Sequence, residues 1–148
     1  MFLKQLSQGH GFGLRTPHYA AFVSDGVRGV DLLEVVTENF LDRGGRPRAV
    51  LERVRVDVPI ALHGVSLSIG GTSPLDVRYL EGLRALCAWV QPAVVSDHLC
   101  FGTYGRHYGH DLWPLPYTEE ALDHVAARVR QVQDFLGRQI ALENVSSY

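Results

Sequence analysis

Cysteine is scarce in this chain: Cys87 and Cys100 are the only two in 148 residues. They have neither CxxC spacing nor a disulfide-rich context, which excludes a disulfide scaffold. Both are expected to be buried or half-buried free thiols, because free cysteine behaves mainly as a small hydrophobe. Long apolar runs are also missing. Hydrophobic residues make up 46% of the chain, yet no run approaches the ~20 residues that span a bilayer. Met1-Phe2-Leu3-Lys4-Gln5 lacks the basic-then-apolar pattern of a signal peptide. A cytoplasmic protein with no membrane partner is expected. Charge of either sign is modest. With 20% charged residues, a net charge of -2 and a pI near 6.4, nothing resembles the basic footprint of a nucleic-acid or anionic-lipid binder. A phosphate loop is absent too: Gly9-His10-Gly11-Phe12-Gly13 has GxGxG rather than GxGxxG spacing, and no strand precedes it.

What the chain does contain is an alternation. Gly9 to Arg15 reads as a glycine-containing first strand, and Thr16-Pro17 as the cap and first position of a short helix. Val30 to Val36 is a compact apolar run of the kind buried on both faces of a parallel sheet. Gly44-Gly45 and Pro47 introduce a helix with Val50, Leu51 and Val54 on one face. Val58 to His63 forms the third strand. Ser73-Pro74 is expected to cap a helix whose Leu75, Tyr79, Leu83, Leu86, Cys87 and Val90 recur at three- and four-residue intervals. Pro92 to Leu99 repeats the strand design, apolar first and polar at the end. Phe101 to Tyr117, rich in glycine, aromatics and histidine, reads as a long loop of the functional lid type. Thr118 caps a last helix with Leu122, Val125, Ala126, Val129, Val132 and Leu136 as its buried stripe, and Gly137 ends it. Gln139 to Tyr148 is the fifth strand. Strict alternation argues for α/β architecture with a parallel sheet and right-handed crossovers.

Ligands of parallel α/β folds gather where strands end. His63, Asp97, His98 and Glu143 all lie at such exits, with 35 residues between the two histidines and 45 from His98 to Glu143. Those intervals suit whole βαβ units, which need roughly 30 residues or more. Imidazoles and a carboxylate converging from neighbouring strands make a site for zinc, manganese or iron. Taken singly, a histidine at a strand end more often binds a backbone carbonyl, and Asp97 or Glu143 more often caps or pairs. Three consecutive strands ending in His, Asp-His and Glu-Asn argue for the metal. His107, His110 and Asp111 could form a second ligand group on the lid. Glu34 and Glu38 either face the mouth or pair with Arg15 or Arg43. On spacing alone, a metal-dependent isomerase or endonuclease-like hydrolase and a non-catalytic peptide-binding half-barrel are all open readings. The lack of a basic surface speaks against the nuclease.

Several motifs occur together and in order: Gly13-Leu14-Arg15, Glu38-Asn39-Phe40, Leu62-His63-Gly64-Val65-Ser66-Leu67-Ser68, Val95-Ser96-Asp97-His98-Leu99, Asp111 to Leu122, and Leu142-Glu143-Asn144-Val145-Ser146-Ser147-Tyr148. In these the chain resembles the multinuclear non-haem iron-dependent oxidases, the methanobactin oxidase-like family. It departs at Val145, where the family usually has proline, and at His110, where a small polar residue is usual. The resemblance implies a TIM barrel of the xylose-isomerase-like kind, holding two or three iron ions and using dioxygen to modify cysteine in a ribosomally made precursor peptide. It also implies a partner protein that presents the peptide. By motif, His63, His98 and Glu143 correspond to iron ligands, with Asp97, Asn144 and His18 as further ligand or supporting candidates. A complete barrel has eight strands and about 250 residues. Residues 1–148 therefore read as the N-terminal part of a single (β/α)8 barrel of about five strands, lacking the C-terminal strands. A truncated gene product or half of a split barrel is expected, inactive by itself and prone to self-association through the exposed sheet edge.

Overall fold

The structure, a computed structural model, describes residues 9–41, 44–105 and 107–146. Each apolar run with a polar exit becomes a strand of one parallel sheet. The strands are β1 (Gly11–Gly13), β2 (Leu32–Val36), β3 (Ile60–His63), β4 (Val94–Leu99) and, after a hairpin, β7 (Ala141–Asn144). They lie in the order β1-β2-β3-β4-β7, each parallel to its neighbours. Between them run α1 (Tyr19–Asp25), α2 (Gly45–Val54), α3 (Val77–Val90) and α4 (Glu119–Leu136). The protein is thus an α/β fold of incomplete TIM-barrel type, and no closed barrel forms among the described residues. No helix among them is long and apolar enough to cross a membrane.

Alternation along each strand separates two faces. Leu33 and Val35 on β2, Leu62 on β3 and Val95 on β4 turn toward the helices, where Leu51, Val54, Leu83 and Leu86 complete the main core. A second cluster gathers Leu67, Ile69, Leu80, Val125 and Val132 beneath α4. The register sets Val36 opposite His63, His63 opposite Ser96, and His98 opposite Glu143. These residues share the face away from the helices. Cys87 is half-buried and Cys100 buried, both as free thiols.

Four local expectations are corrected. Phe101 to Tyr117 is not a plain loop: β5 (Phe101–Tyr104) and β6 (His107–Trp113) form an antiparallel hairpin. Its glycines mimic loop composition but serve the hairpin. Gly105 takes the turn at φ +58°, and Gly109 lies so close to the Trp113 indole that a Cβ would collide with it. Helix α3 begins later than Ser73-Pro74 suggests, because Asp76 is its N-cap and accepts from Arg78 N and Tyr79 N at 2.9 and 3.1 Å. Near the N-terminus Thr16 and Pro17 lie inside a 3-10 turn, Thr16–His18, capped by Arg15, and α1 follows it. On α4 the expected Leu122 is 60% exposed while Arg128 is buried at 9%. The Thr118 cap and the Gly137 terminus are as expected.

Candidate metal centre

His63 ends β3, and Ser96 and His98 sit two residues apart on β4, so all three project from one face. Glu143 joins them from β7 because the β4–β7 register sets it directly beside His98. The imidazole Nε2 atoms of His63 and His98 are 3.4 Å apart. Glu143 Oε2 lies 3.4 Å from the first and 4.0 Å from the second. Both histidine side chains are only 12% exposed, whereas Glu143 is 59% exposed. Among the described residues no other set of three histidine, cysteine or acidic side chains comes within reach of a shared ion.

The remaining ring nitrogens bear on whether this set suits a cation. His98 Nδ1 lies 3.2 Å from the Gly64 carbonyl oxygen. A carbonyl only accepts, so Nδ1 carries the proton and Nε2 of the neutral ring presents a lone pair. His63 Nδ1 has the Ser96 hydroxyl at 2.8 Å, and a donation there leaves its Nε2 bare as well. Two lone pairs and a carboxylate then face one small volume. Three atoms separated by 3.4, 3.4 and 4.0 Å have a common equidistant point at the circumradius of their triangle, about 2.1 Å from each, within the ~2.0–2.2 Å of metal–nitrogen and metal–oxygen bonds. The donor set and its spacing fit a first-row divalent ion.

The other sequence candidates divide. Asp97 and Asn144 follow or precede a mouth residue on the same strand, so alternation turns them to the helix side. Asp97 is 4% exposed there, with Oδ2 accepting from Leu67 N at 3.3 Å and from the Tyr79 hydroxyl at 3.4 Å. Its Oδ1 accepts from His98 N at 2.8 Å. Its hydrogen bonds thus go to backbone and to Tyr79. Burial pushes its carboxyl up to about 7, with the Glu38 charge adding and the donated hydrogen bonds opposing. Asn144 lines a cavity of about 300 Å³ with Leu99, Leu115 and Leu122. His18 stays near β1, its Nδ1 accepting from Arg15 N at 3.2 Å and its ring 5.1 Å from Phe12. His107, His110 and Asp111 are spread along β6 and form no ligand group. No ion pair joins Glu34 or Glu38 to Arg15 among the described residues. Arg43 lies outside the described residues, as do Ser147 and Tyr148.

Glu38 instead accepts from Val65 N at 2.9 Å and from the Tyr79 hydroxyl at 3.0 Å. Burial, and then the charges of Asp97 and Glu38, raise the Tyr79 phenol far above its ordinary range, so it remains a donor. Burial beside Asp97 pushes the Cys100 thiol up to about 11. Ser96 was missed in the sequence although a two-residue period back from His98 points to it. Tyr79 looked like an ordinary core position because its spacing is that of the buried helical stripe.

A parallel sheet with alternating helices makes this an α/β protein of incomplete barrel type, with two imidazoles and a carboxylate at its mouth that could share an ion. The family model described as RiPP precursor modification enzyme MbnB/TglH/ChrH matches residues 9–148, and the chain belongs to that family. It is similar to a UPF0276 protein of Anaeromyxobacter sp., 59% identical over 140 residues, or 95% of this chain and 49% of that relative. UPF0276 proteins of Rhizorhabdus wittichii and Caulobacter vibrioides are 53% and 48% identical over 93% and 95% of this chain and 50% of each relative. The chain thus spans about half the length of the curated relatives it matches.

Proposed function

We propose that residues 1–148 supply the N-terminal part of a single (β/α)8 barrel in an iron-dependent, dioxygen-using enzyme. Its substrate is cysteine in a ribosomally made precursor peptide, which a partner protein presents. The observation that carries this reading is the convergence of His63, His98 and Glu143 on one point, in a chain whose family modifies RiPP precursors. Iron held there would supply the redox chemistry with dioxygen that amino-acid side chains lack.

The chain's own residues have separable tasks. His98 keeps Nε2 available because the Gly64 carbonyl accepts the Nδ1 proton, and Ser96, where its hydroxyl accepts from Nδ1, would do the same for His63. Partners of this kind orient a ligand ring and raise its basicity. The low exposure of both rings keeps their donor nitrogens out of bulk water, where they would otherwise hydrate. Glu143 brings negative charge, and its exposed carboxylate has a second oxygen for a neighbouring ion. Hairpin β5–β6 starts two residues after Leu99 and would stand beside a peptide entering the mouth. In relatives of twice this length, residues beyond the matched half would complete the ligand shell.

Anaerobic loading with ferrous ion, followed by desalting and metal analysis, tests the ligand assignment. The parent should retain iron, and His63→Ala and Glu143→Ala should each lower retention about ten-fold or more, the loss of one of three donors. Equal retention in all three proteins overturns it.

A further inference from the structure

On the helix side of the sheet, away from the imidazoles, two carboxylates share one phenol. The Tyr79 hydroxyl on α3 lies 3.0 Å from Glu38 Oε1 and 3.4 Å from Asp97 Oδ2. Each carboxylate also takes one N–H of the segment leaving β3: Val65 N donates to Glu38 at 2.9 Å and Leu67 N to Asp97 at 3.3 Å. The segment is gripped at alternate residues. The grips come from the 3-10 turn Thr37–Asn39 that follows β2 and from β4, and α3 ties them together.

Gly64 heads that segment. A Cβ there would stand 2.7 Å from the Tyr79 hydroxyl and collide with the Asp97 carboxylate, so the glycine backbone is packed directly against the polar group. Its N–H donates to Ser96 O at 2.8 Å. Its carbonyl is the acceptor for His98 Nδ1 at 3.2 Å. The arrangement is expensive for a purely structural core, since Glu38 Oε2 is enclosed without a hydrogen-bond partner among the described residues and an unpaired polar oxygen loses its hydration on burial. Aliphatic side chains would fill the same space without that cost.

We infer that Tyr79 and Glu38 are positioning residues for His98: by holding the segment after β3 they fix the Gly64 carbonyl, and the carbonyl sets the ring's tautomer and orientation. The purpose of this device rests on the metal-centre reading above, whereas its geometry does not.

The test compares Tyr79→Phe and Glu38→Gln with the parent and with Val90→Ala, a buried core truncation at the far end of the same helix, about 16 Å along its axis from Tyr79. Long-range ¹H–¹⁵N NMR of the metal-free proteins reads which nitrogen of His98 is protonated, with the signal assigned by its absence in His98→Gln. Visible absorption on titration with Co(II) reads affinity for a metal probe. Tyr79→Phe and Glu38→Gln should each lose the single Nδ1–H signature and bind Co(II) about ten-fold more weakly, the usual effect of removing an outer support. Val90→Ala should keep both while losing thermal stability. Parental tautomer and parental affinity in both polar variants overturn the inference. A parent that binds no Co(II), with the tautomer lost in the variants, leaves the positioning role standing and sinks the metal reading instead. If Tyr79→Phe does not fold, Glu38→Gln decides on the same two readouts.

Discussion

Arg128 shows how a single residue can reverse a face-by-face reading of a helix. Its guanidinium is buried on α4 without an acidic partner among the described residues, and donates to the carbonyls of Ile69 and Ser73 at 2.8 Å and of Ser68 at 3.4 Å. Burial lowers its pKa from the ordinary value. Those carbonyls belong to the segment between β3 and α3; that of Ser68 also accepts from Gly71 N at 2.9 Å, so Ile69 and Ser73 depend most on the guanidinium. Arg128→Met would fill the space and strand the carbonyls, so unfolding by urea should show a loss of about 3 kcal/mol, from hydrogen bonds to a charged donor worth ~1.5–3 kcal/mol each and only partly replaced by water. A loss under about 1 kcal/mol would mean that the carbonyls find other donors. Asp97 and His98 teach a related lesson. Adjacent residues of a strand face opposite ways, so only one of the pair can reach the mouth. Which one does so depends on the register with β3 and β7, a long-range property that neither residue carries.

At the scale of elements, the periodic segments were legible and the irregular ones were not. Helix α4 has its Thr118 cap and Gly137 stop, and β2, β3 and β4 coincide with apolar runs because a strand covered on both faces needs no polar alternation. Hairpin β5–β6 escaped because Gly102, Gly105 and Gly109 look like loop residues until Trp113 is seen packing over Gly109. Asp57 is another long-range element contact. It accepts from the Arg53 guanidinium at 2.9 Å and from Val27 N at 3.1 Å, joining the end of α2 to the turn before β2. The hydrogen bond from Arg53, then that from Val27, lowers its pKa. A depressed carboxylate contributes stability that is present above its unfolded pKa of about 3.9 and lost as pH falls through the lower folded value. Asp57→Asn should therefore lower urea stability at about pH 6 and narrow the gap to the parent at about pH 3. A pH-independent difference would remove the ion pair from the account. The effect should be small, since the pair is exposed and screened.

For the molecule as a whole, β1 and β7 are the outer strands of the described sheet, and Glu143 and Asn144 on β7 are exposed. An unpaired parallel edge is a template for another chain. Light scattering after size exclusion should find the 148-residue chain self-associating as concentration rises, and a single-chain mass throughout would show that the edge is protected. The sequence by itself determined the alternation of strands and helices, the identity of the strand-end residues and the family, because these rest on local period, capping and motifs. Only the tertiary structure decided that His63, His98 and Glu143 share one point while Asp97 and Asn144 turn away. It also decided that Tyr79 serves two carboxylates rather than the core alone. The physical reason is register: parallel strands joined through helices acquire their relative shift from packing across the whole sheet, and a shift of one residue exchanges the two faces.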